Sequence, residues 1–343
     1  MIGVGIIGFG LMGRTHAQAY AIDLRAQLRA IADLNPTRFQ RKDVQGNIAG
    51  LGAGEIDPAT VRLHDSVAAL LDDPAVQAVS ICTPTATHVD LTIAALRSGK
   101  HVMVEKPLGL SSAASRLAVD EASRHPGLVA MPAMCMRFWP GWSWLREIIR
   151  EEPYGPVQAA SFLRMGARPG WSSFYTDPAQ SGGAMLDLHI HDADFVRSCF
   201  GNPRTVESRP GDEDPTGTDH VVTRYRFDAM PHVEITAEGG WRRDAEAPFV
   251  MRFHVRFEQA EAVFDLSQTP VLRLRRGGDD EPVELPPGDG YRYEVRAFLD
   301  AIEQGTPVPQ VSMHDGAEAV RLIECERESI RTGRPVNFAP ASR

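Results

Sequence analysis

The polar and apolar positions of the first 136 residues follow two alternating rhythms, short unbroken apolar runs and longer stretches with helical spacing. The runs fall at 4–7, 28–32, 78–82, 101–104 and 128–133, as strands buried on both faces of a parallel sheet require. Between them, a helix pattern follows the first run, and a polar helix and loop is read over 35–51. Ser66 is placed to cap a short helix over 67–71, which Pro74 stops. A helix over 87–98 closes at Gly99, and Ser111 caps another that runs through Arg124. Strand and helix in alternation predict a doubly wound α/β domain over 1–136.

From about Arg137 the rhythm changes. A helix over 142–150 leads to Tyr154-Gly155-Pro156 and a strand over 157–165. A helix over 184–200 and strand-like segments over 219–227, 232–239, 249–257 and 260–266 come next, several alternating polar with apolar as one-faced antiparallel sheets do. Two closing helices, over 291–303 and 315–332, are expected to cover that sheet or to brace the first domain. The Gly-Asp-Pro-rich stretches at 209–217 and 277–290 read as loops. Residues 137–343 are thus expected to form an α+β domain beside the first.

The first strand runs directly into Gly8-Phe9-Gly10-Leu11-Met12-Gly13. In a strand-turn-helix setting Gly8 permits a tight turn, Gly10 lets a pyrophosphate approach the backbone, and Gly13 lets the helix pack on the strand. The anion then meets free N–H groups at a helix N-terminus. Asp33, 20 residues past Gly13 at the end of the second strand, stands where a carboxylate holds an adenosine ribose. Such a carboxylate accepts from a free 2′-hydroxyl and repels a 2′-phosphate, which favours NAD over NADP; Arg38 and Arg41, close by in sequence, soften that preference. Ligands of an open parallel sheet collect at the strands' carboxyl ends, so Thr83, Pro84, His88, Glu105 and Lys106 are expected to share a crevice with the glycine turn. Pro107 fixes the exit from the last of these strands.

Composition narrows the remaining classes. The 343 residues exceed one ordinary core, and 43% hydrophobic with 24% charged residues is the balance of a globular protein. A net charge of −9 argues against nucleic acid or an anionic membrane as the main partner. Cys82, Cys135, Cys199 and Cys325 form no C-x-x-C pair and read as reduced thiols of a cytoplasmic protein. A strand beginning at residue 4 leaves no room for a signal peptide, and no apolar run approaches the ~20 residues of a membrane span.

The second informative stretch is Ser181-Gly182-Gly183-Ala184-Met185-Leu186-Asp187-Leu188-His189-Ile190-His191-Asp192-Ala193-Asp194. On a regular helix Asp187, His191 and Asp194 share one face at i, i+4 and i+7, with Met185 and Leu188 turned toward packing. Three readings remain open at this point. One is a core helix with a satisfied histidine. Another is a metal site using His189, His191, Asp187 and Asp192, which helical geometry disfavours because residues two apart diverge. The third is an acid/base pair in which a carboxylate fixes the tautomer of a proton-transferring imidazole.

Taken together, Gly8-x-Gly10-x-x-Gly13, Thr83-Pro84-x-x-x-His88, Glu105-Lys106-Pro107, Gly182-Gly183-x-x-x-Asp187-x-x-x-His191-x-x-Asp194 and Ser329-x-x-x-Gly333-Arg334-Pro335-Val336 resemble the Gfo/Idh/MocA family of NAD(P)-dependent oxidoreductases over essentially the whole chain. The resemblance implies a Rossmann domain followed by a domain with a large, mainly antiparallel sheet flanked by helices, and homodimers or homotetramers joined sheet to sheet. It implies Lys106 at the reacting oxygen, His191 as general acid/base and Asp187 assisting it, with no metal. His189 stands where relatives often have glycine, which makes its imidazole a candidate substrate contact. Arg137, Arg168 and Trp171 are further candidates, and Tyr175 belongs to the same possible lid or pocket wall over 166–180.

The expected activity is hydride transfer between a nicotinamide and a secondary alcohol of a sugar, polyol, inositol or related compound. Two rivals stand beside it. One is an NAD-dependent glycoside hydrolase that oxidises its substrate transiently, and the other is a cofactor-binding regulator without catalysis, against which the presence of both Lys106 and His191 speaks.

Overall fold

The computed structural model describes residues 1–40, 48, 52, 60–170, 173–212, 214, 216–217 and 219–338. The chain divides into two compact units, Met1–Phe138 with Gly288–Glu318 and Trp139–Pro287 with Ala319–Arg343.

In the first unit β1 (Ile2–Ile7), β2 (Ala26–Ala32), β3 (Arg62–His64), β4 (Ala78–Ile81), β5 (His101–Glu105) and β6 (Ala130–Ala133) form one sheet in the order β3-β2-β1-β4-β5-β6. Every neighbouring pair is parallel. The helices between them are α1 (Leu11–Ala21), α2 (Val67–Leu71), α3 (His88–Arg97) and α4 (Ser112–Ser123). This is the doubly wound Rossmann order, with its reversal between β1 and β4. Its local signals act as expected: Ser66 Oγ accepts from Ala69 N, Ser111 Oγ accepts from Ala114 N, and Gly99 takes φ +72° past the end of α3. All six residues of β1 are buried, because side chains packed on both faces surround it. A 3-10 turn occupies Pro36–Gln40; most of the helix and loop expected over 35–51, Arg41 included, lies outside the described residues.

The second unit begins with α5 (Pro140–Glu151) and holds a sheet in the order β14-β13-β12-β11-β7-β10-β9-β8-β15. Its strands are β7 (Val157–Ala167), β8 (Thr205–Pro210), β9 (His220–Arg226), β10 (Glu234–Arg242), β11 (Val250–Phe257), β12 (Glu261–Asp265), β13 (Leu272–Arg276), β14 (Asp279–Pro282) and β15 (Val336–Asn337). Only β7 and β10 pair in parallel. Along β11 every second residue from Met251 is buried, the period of a sheet with one covered face. Trp142 of α5 centres the core, its ring 4.9 Å from Phe253, 4.5 Å from Phe264 and 6.2 Å from Phe195. A short helix, α6 (Pro178–Ser181), precedes the principal one, α7 (Ile190–Phe200).

Two expectations need correction. The stretch 277–290 is not all loop: Gly277 and Gly278, at φ +61° and +98°, turn the chain from β13 into β14. Strand β14 is exposed throughout and has no apolar residue but Pro282, so it lacks an apolar alternation and is held by cross-strand pairs such as Arg273 Nε to Asp280 Oδ1 at 2.8 Å. The stretch 209–217 likewise begins with the last two residues of β8.

The two closing helices are α8 (Gly290–Gln304), capped by the Asp289 carboxylate accepting from Arg292 N, and α9 (Met313–Thr332). Helix α8 belongs to the first unit and packs on α1, while α9 starts in the first unit and continues in the second. The first unit therefore takes in 288–318, a segment that a single boundary at residue 136 leaves in the second half. Among the described residues no helix is long and apolar enough to cross a membrane.

Candidate active site

Strand register brings the candidate cofactor residues of the first unit together. Ile7 is level with Ala32 and with Ile81, and Ile81 with Val104, so Gly8, Asp33, Thr83 and Glu105-Lys106 leave the sheet at one carboxyl edge. Gly8 turns at φ +88°, where a Cβ would stand 2.7 Å from the Cys82 carbonyl oxygen. At Gly13 a Cβ would meet the Gly8 oxygen at 2.1 Å and Ile6 Cγ2 at 3.2 Å. At Gly10 the nearest atom is Arg38 Nη1, 3.9 Å away. Helix packing thus requires the outer two glycines, and the middle one leaves open backbone at the N-terminus of α1, where the N-cap Gly10 has no side chain to cap the first N–H groups. The residues present fit a dinucleotide pyrophosphate: Gly10, Leu11, Met12 and Gly13 offer main-chain donors, and nothing fills the space a Cβ would take.

Asp33 is almost wholly buried and already engaged. Its Oδ2 accepts from Phe9 N at 2.7 Å and from Arg38 Nη1 at 3.2 Å, and its Oδ1 accepts from Asn35 N at 2.8 Å. The carboxylate therefore stiffens the glycine turn. Phe9 is buried under Arg14, whose guanidinium lies 4.7 Å over its ring.

On the neighbouring strands Thr83 Oγ1 bonds Thr87 Oγ1 at 2.7 Å, and Pro84 leads into the turn Thr85–Thr87. His88 is buried, with Nε2 2.8 Å from the Thr83 oxygen and Nδ1 2.8 Å from the Pro107 oxygen. It braces the Thr83 turn against the Lys106–Pro107 turn, whose peptide bond is cis, and burial pushes its pKa down. Lys106 N donates to Glu105 Oε2 at 3.1 Å, and Glu105 Oε1 accepts from His16 Nε2 at 3.1 Å.

In the second unit Gly182 and Gly183 both take left-handed φ, +72° and +71°, and Arg327 donates to the Gly182 oxygen. The expected regular helix from residue 184 is corrected here: Met185–His189 winds as a π turn before α7 begins at Ile190. Hydrophobic spacing does not separate the two pitches over a single turn, and π turns concentrate at functional sites. Asp187 Oδ2 accepts from Trp241 Nε1 at 3.2 Å. Trp241 in turn has Tyr175 at 6.1 Å, edge-on, and the Arg168 guanidinium 5.4 Å over its ring. His191 retains 9% of its surface, whereas Asp194 retains 1%. Asp192 turns the other way, into a buried two-bond pair with Arg164 at 2.9 and 3.0 Å.

The substrate candidates separate. His189 is fully buried, its Nε2 2.8 Å from Glu326 Oε2, and a Cβ at Gly239 would stand 2.8 Å from its Nδ1. Arg137 is 4% exposed and donates to the Gln310 oxygen at 2.8 Å, with Asp315 at 3.4 Å. Arg168 is half-exposed and lies 3.1 Å from Asp219. Trp171 lies outside the described residues. Three groups beside candidate residues escaped the sequence reading: Trp241, which bonds Asp187, and His16 and Glu294 beside Glu105. For Glu294 there is a signal, an acid in line with Phe298 and Ala301 on the buried stripe of α8.

An open glycine turn at the switch point of a doubly wound sheet in the first unit defines a dinucleotide-binding domain, and the second, mainly antiparallel unit carries the Asp187 and His191 segment. Comparison with known proteins makes this specific. Residues 2–132 match the family model described as "Oxidoreductase family, NAD-binding Rossmann fold", and residues 142–269 match the "GFO/IDH/MocA C-terminal domain". The chain belongs to the Gfo/Idh/MocA oxidoreductase family. It is 27% identical to the myo-inositol 2-dehydrogenase of Thermotoga maritima over 98% of both chains. To D-xylose 1-dehydrogenase (NADP(+)) 2 of Haloferax volcanii it is 28% identical, over 80% of this chain and 84% of the relative. Levoglucosan dehydrogenase in complex with NADH and levoglucosan shares the fold with a TM-score of 0.82, at 21% identity over 99% of this chain and all of that one.

Proposed function

We propose that the protein oxidises, reversibly, a secondary alcohol of a sugar, polyol or inositol, with NAD preferred over NADP. The observation that carries this is the open backbone at Gly10 in a chain that also retains Lys106 after Glu105 and His191 after the π turn. Inositols and xylose, which appear in the names of relatives, are the compounds to try first. The bound dinucleotide supplies the hydride acceptor. His191 takes the hydroxyl proton as the C–H pair of electrons leaves carbon and the carbonyl forms. Lys106, as an ammonium, stabilises negative charge on the same oxygen. Asp187, held by Trp241, orients the imidazole for that transfer.

The test is a panel of inositols, aldoses and sugar acids with NAD and NADP in parallel, read by absorbance of the reduced nicotinamide. One reduced cofactor per oxidised alcohol is expected, with His191→Asn lowering kcat by about 10²-fold or more while NADH still binds. Release of an aglycone without net NADH assigns the transient-oxidation hydrolase instead. Unchanged biological activity in both Lys106→Ala and His191→Ala returns the protein to the non-catalytic regulators.

A further inference from the structure

Behind the glycine turn the first unit encloses a polar cluster that the reaction above does not use. His16 on α1, Glu105 at the end of β5 and Glu294 on α8 are all buried, and their nearest side-chain atoms lie within 4.8 Å of one another. His16 Nε2 donates to Glu105 Oε1 at 3.1 Å but stands 4.0 Å from Glu294 Oε1. Among the described residues neither oxygen of Glu294 has a hydrogen-bond partner, nor does His16 Nδ1.

A fully buried carboxylate with no donor cannot remain an anion cheaply, least of all beside another carboxylate. The charged and titratable groups around it leave few alternatives. Tyr20 of α1 is occupied with Ser80 Oγ at 2.9 Å, and Cys82 after β4 is a thiol that burial first, and Glu105 next, keep protonated. Asp289, at the start of the same helix, adds a like charge. The short turn Cys135–Arg137 also packs on α8, but Arg137 is committed to Gln310 and Asp315.

We propose that Glu294 is a positioning residue for the Lys106 turn, carried as a neutral acid so that Glu105 can hold His16 with one oxygen and the Lys106 N–H with the other. A proton on Glu294 removes the repulsion that would drive Glu105 from those two bonds. It also provides a donor toward Glu105, directly after a small rotation or through one bridging water. Burial first, and Glu105 and Asp289 next, push the Glu294 pKa well above its ordinary 4.5. Stability from this group is therefore full below the unfolded value and is lost as pH rises through the folded one.

The inference rests on the dehydrogenase reading for its importance to Lys106, but its test needs no sugar. Urea unfolding of the whole chain between pH 5 and pH 9 should show a component that lowers the folding constant by up to about ten-fold per pH unit. Glu294→Gln, neutral at every pH, should abolish that component and flatten the alkaline decline of NADH affinity followed by fluorescence. Glu294→Ala should weaken NADH binding by about ten-fold, and the glutamine should restore most of it. A glutamine variant as impaired as the alanine variant at every pH shows an ionised Glu294 and overturns the proposal. So does one divalent ion per chain found by elemental analysis of the purified protein, which would make the three side chains ligands. Loss of the His191 effect on turnover would overturn the dehydrogenase reading and leave these binding and stability results standing.

Discussion

The glycine turn separates two kinds of requirement that one motif usually confounds. A methyl group at Gly13 would stand 2.1 Å from a main-chain oxygen that cannot move without opening the β1 turn. Overpacking of this kind costs about 1–3 kcal/mol, and for a unit of this size that lowers Tm by about 3–10 °C. Among the described residues a methyl group at Gly10 meets nothing closer than 3.9 Å, and φ −81° there suits alanine. Gly10→Ala should therefore melt close to the parent. The same methyl occupies the space through which a pyrophosphate reaches the first N–H groups of α1, so NADH binding should weaken about ten-fold or more, which is about 1.4 kcal/mol or more. Thermal unfolding of both variants without ligand, followed by fluorescence titration with NADH, tests the pair. Equal losses of Tm in the two variants, or parental NADH affinity in Gly10→Ala, would refute the division of roles.

Three further outcomes follow from side-chain geometry. Arg38 bonds Asp33 at 3.2 Å beside the open Gly10, so Arg38→Ala should lower kcat/KM with NADP relative to NAD by about ten-fold; an unchanged ratio removes Arg38 from cofactor choice. Trp241→Phe deletes the donor that holds Asp187 and should lower kcat about ten-fold with NADH affinity intact, which steady-state kinetics and titration separate. Arg164→Ala strands the buried Asp192 charge and should cost about 3–5 kcal/mol in urea unfolding; less than 1 kcal/mol would show that the pair is not an energetic element of that core.

The first unit was legible because its determinants are local. Continuous apolar runs mark strands buried on both faces, Ser66 and Ser111 announce helix starts, and Asp33 stands at a fixed distance from Gly13. The parts that escaped lack a local signature. Strand β3 is only Arg62–His64 at a sheet edge, and β14 is four exposed residues that carry their stabilising contacts across the hairpin. The π turn at Met185–His189 keeps an apolar pattern that an ordinary helix would share. In the candidate site the glycine turn, with Asp33, Thr83 and Lys106, could be read as a set because parallel register brings successive strand ends to one edge. His16 and Glu294 could not, since only the return of α8 to the first unit makes them neighbours.

His189 shows how a residue can matter to a site without facing it. The segment from Gly182 to His191 is fastened at three points within the second unit: Arg327 holds the Gly182 oxygen, Trp241 holds Asp187, and Glu326 lies 2.8 Å from the His189 ring. Glu326 is itself fixed, since the Tyr225 hydroxyl donates to its other oxygen at 2.7 Å. Two of the three fastenings come from α9 and one from β10, all parts of the packed body rather than of a loop. Gly239 on β10 leaves the room that the His189 imidazole fills. The His189 imidazole thus acts as a buried anchor at the end of the π turn. The pose of His191 two residues later follows from the packing of the second unit. Arg168 and Tyr175 lean on the same Trp241 that holds Asp187, so they share its packing.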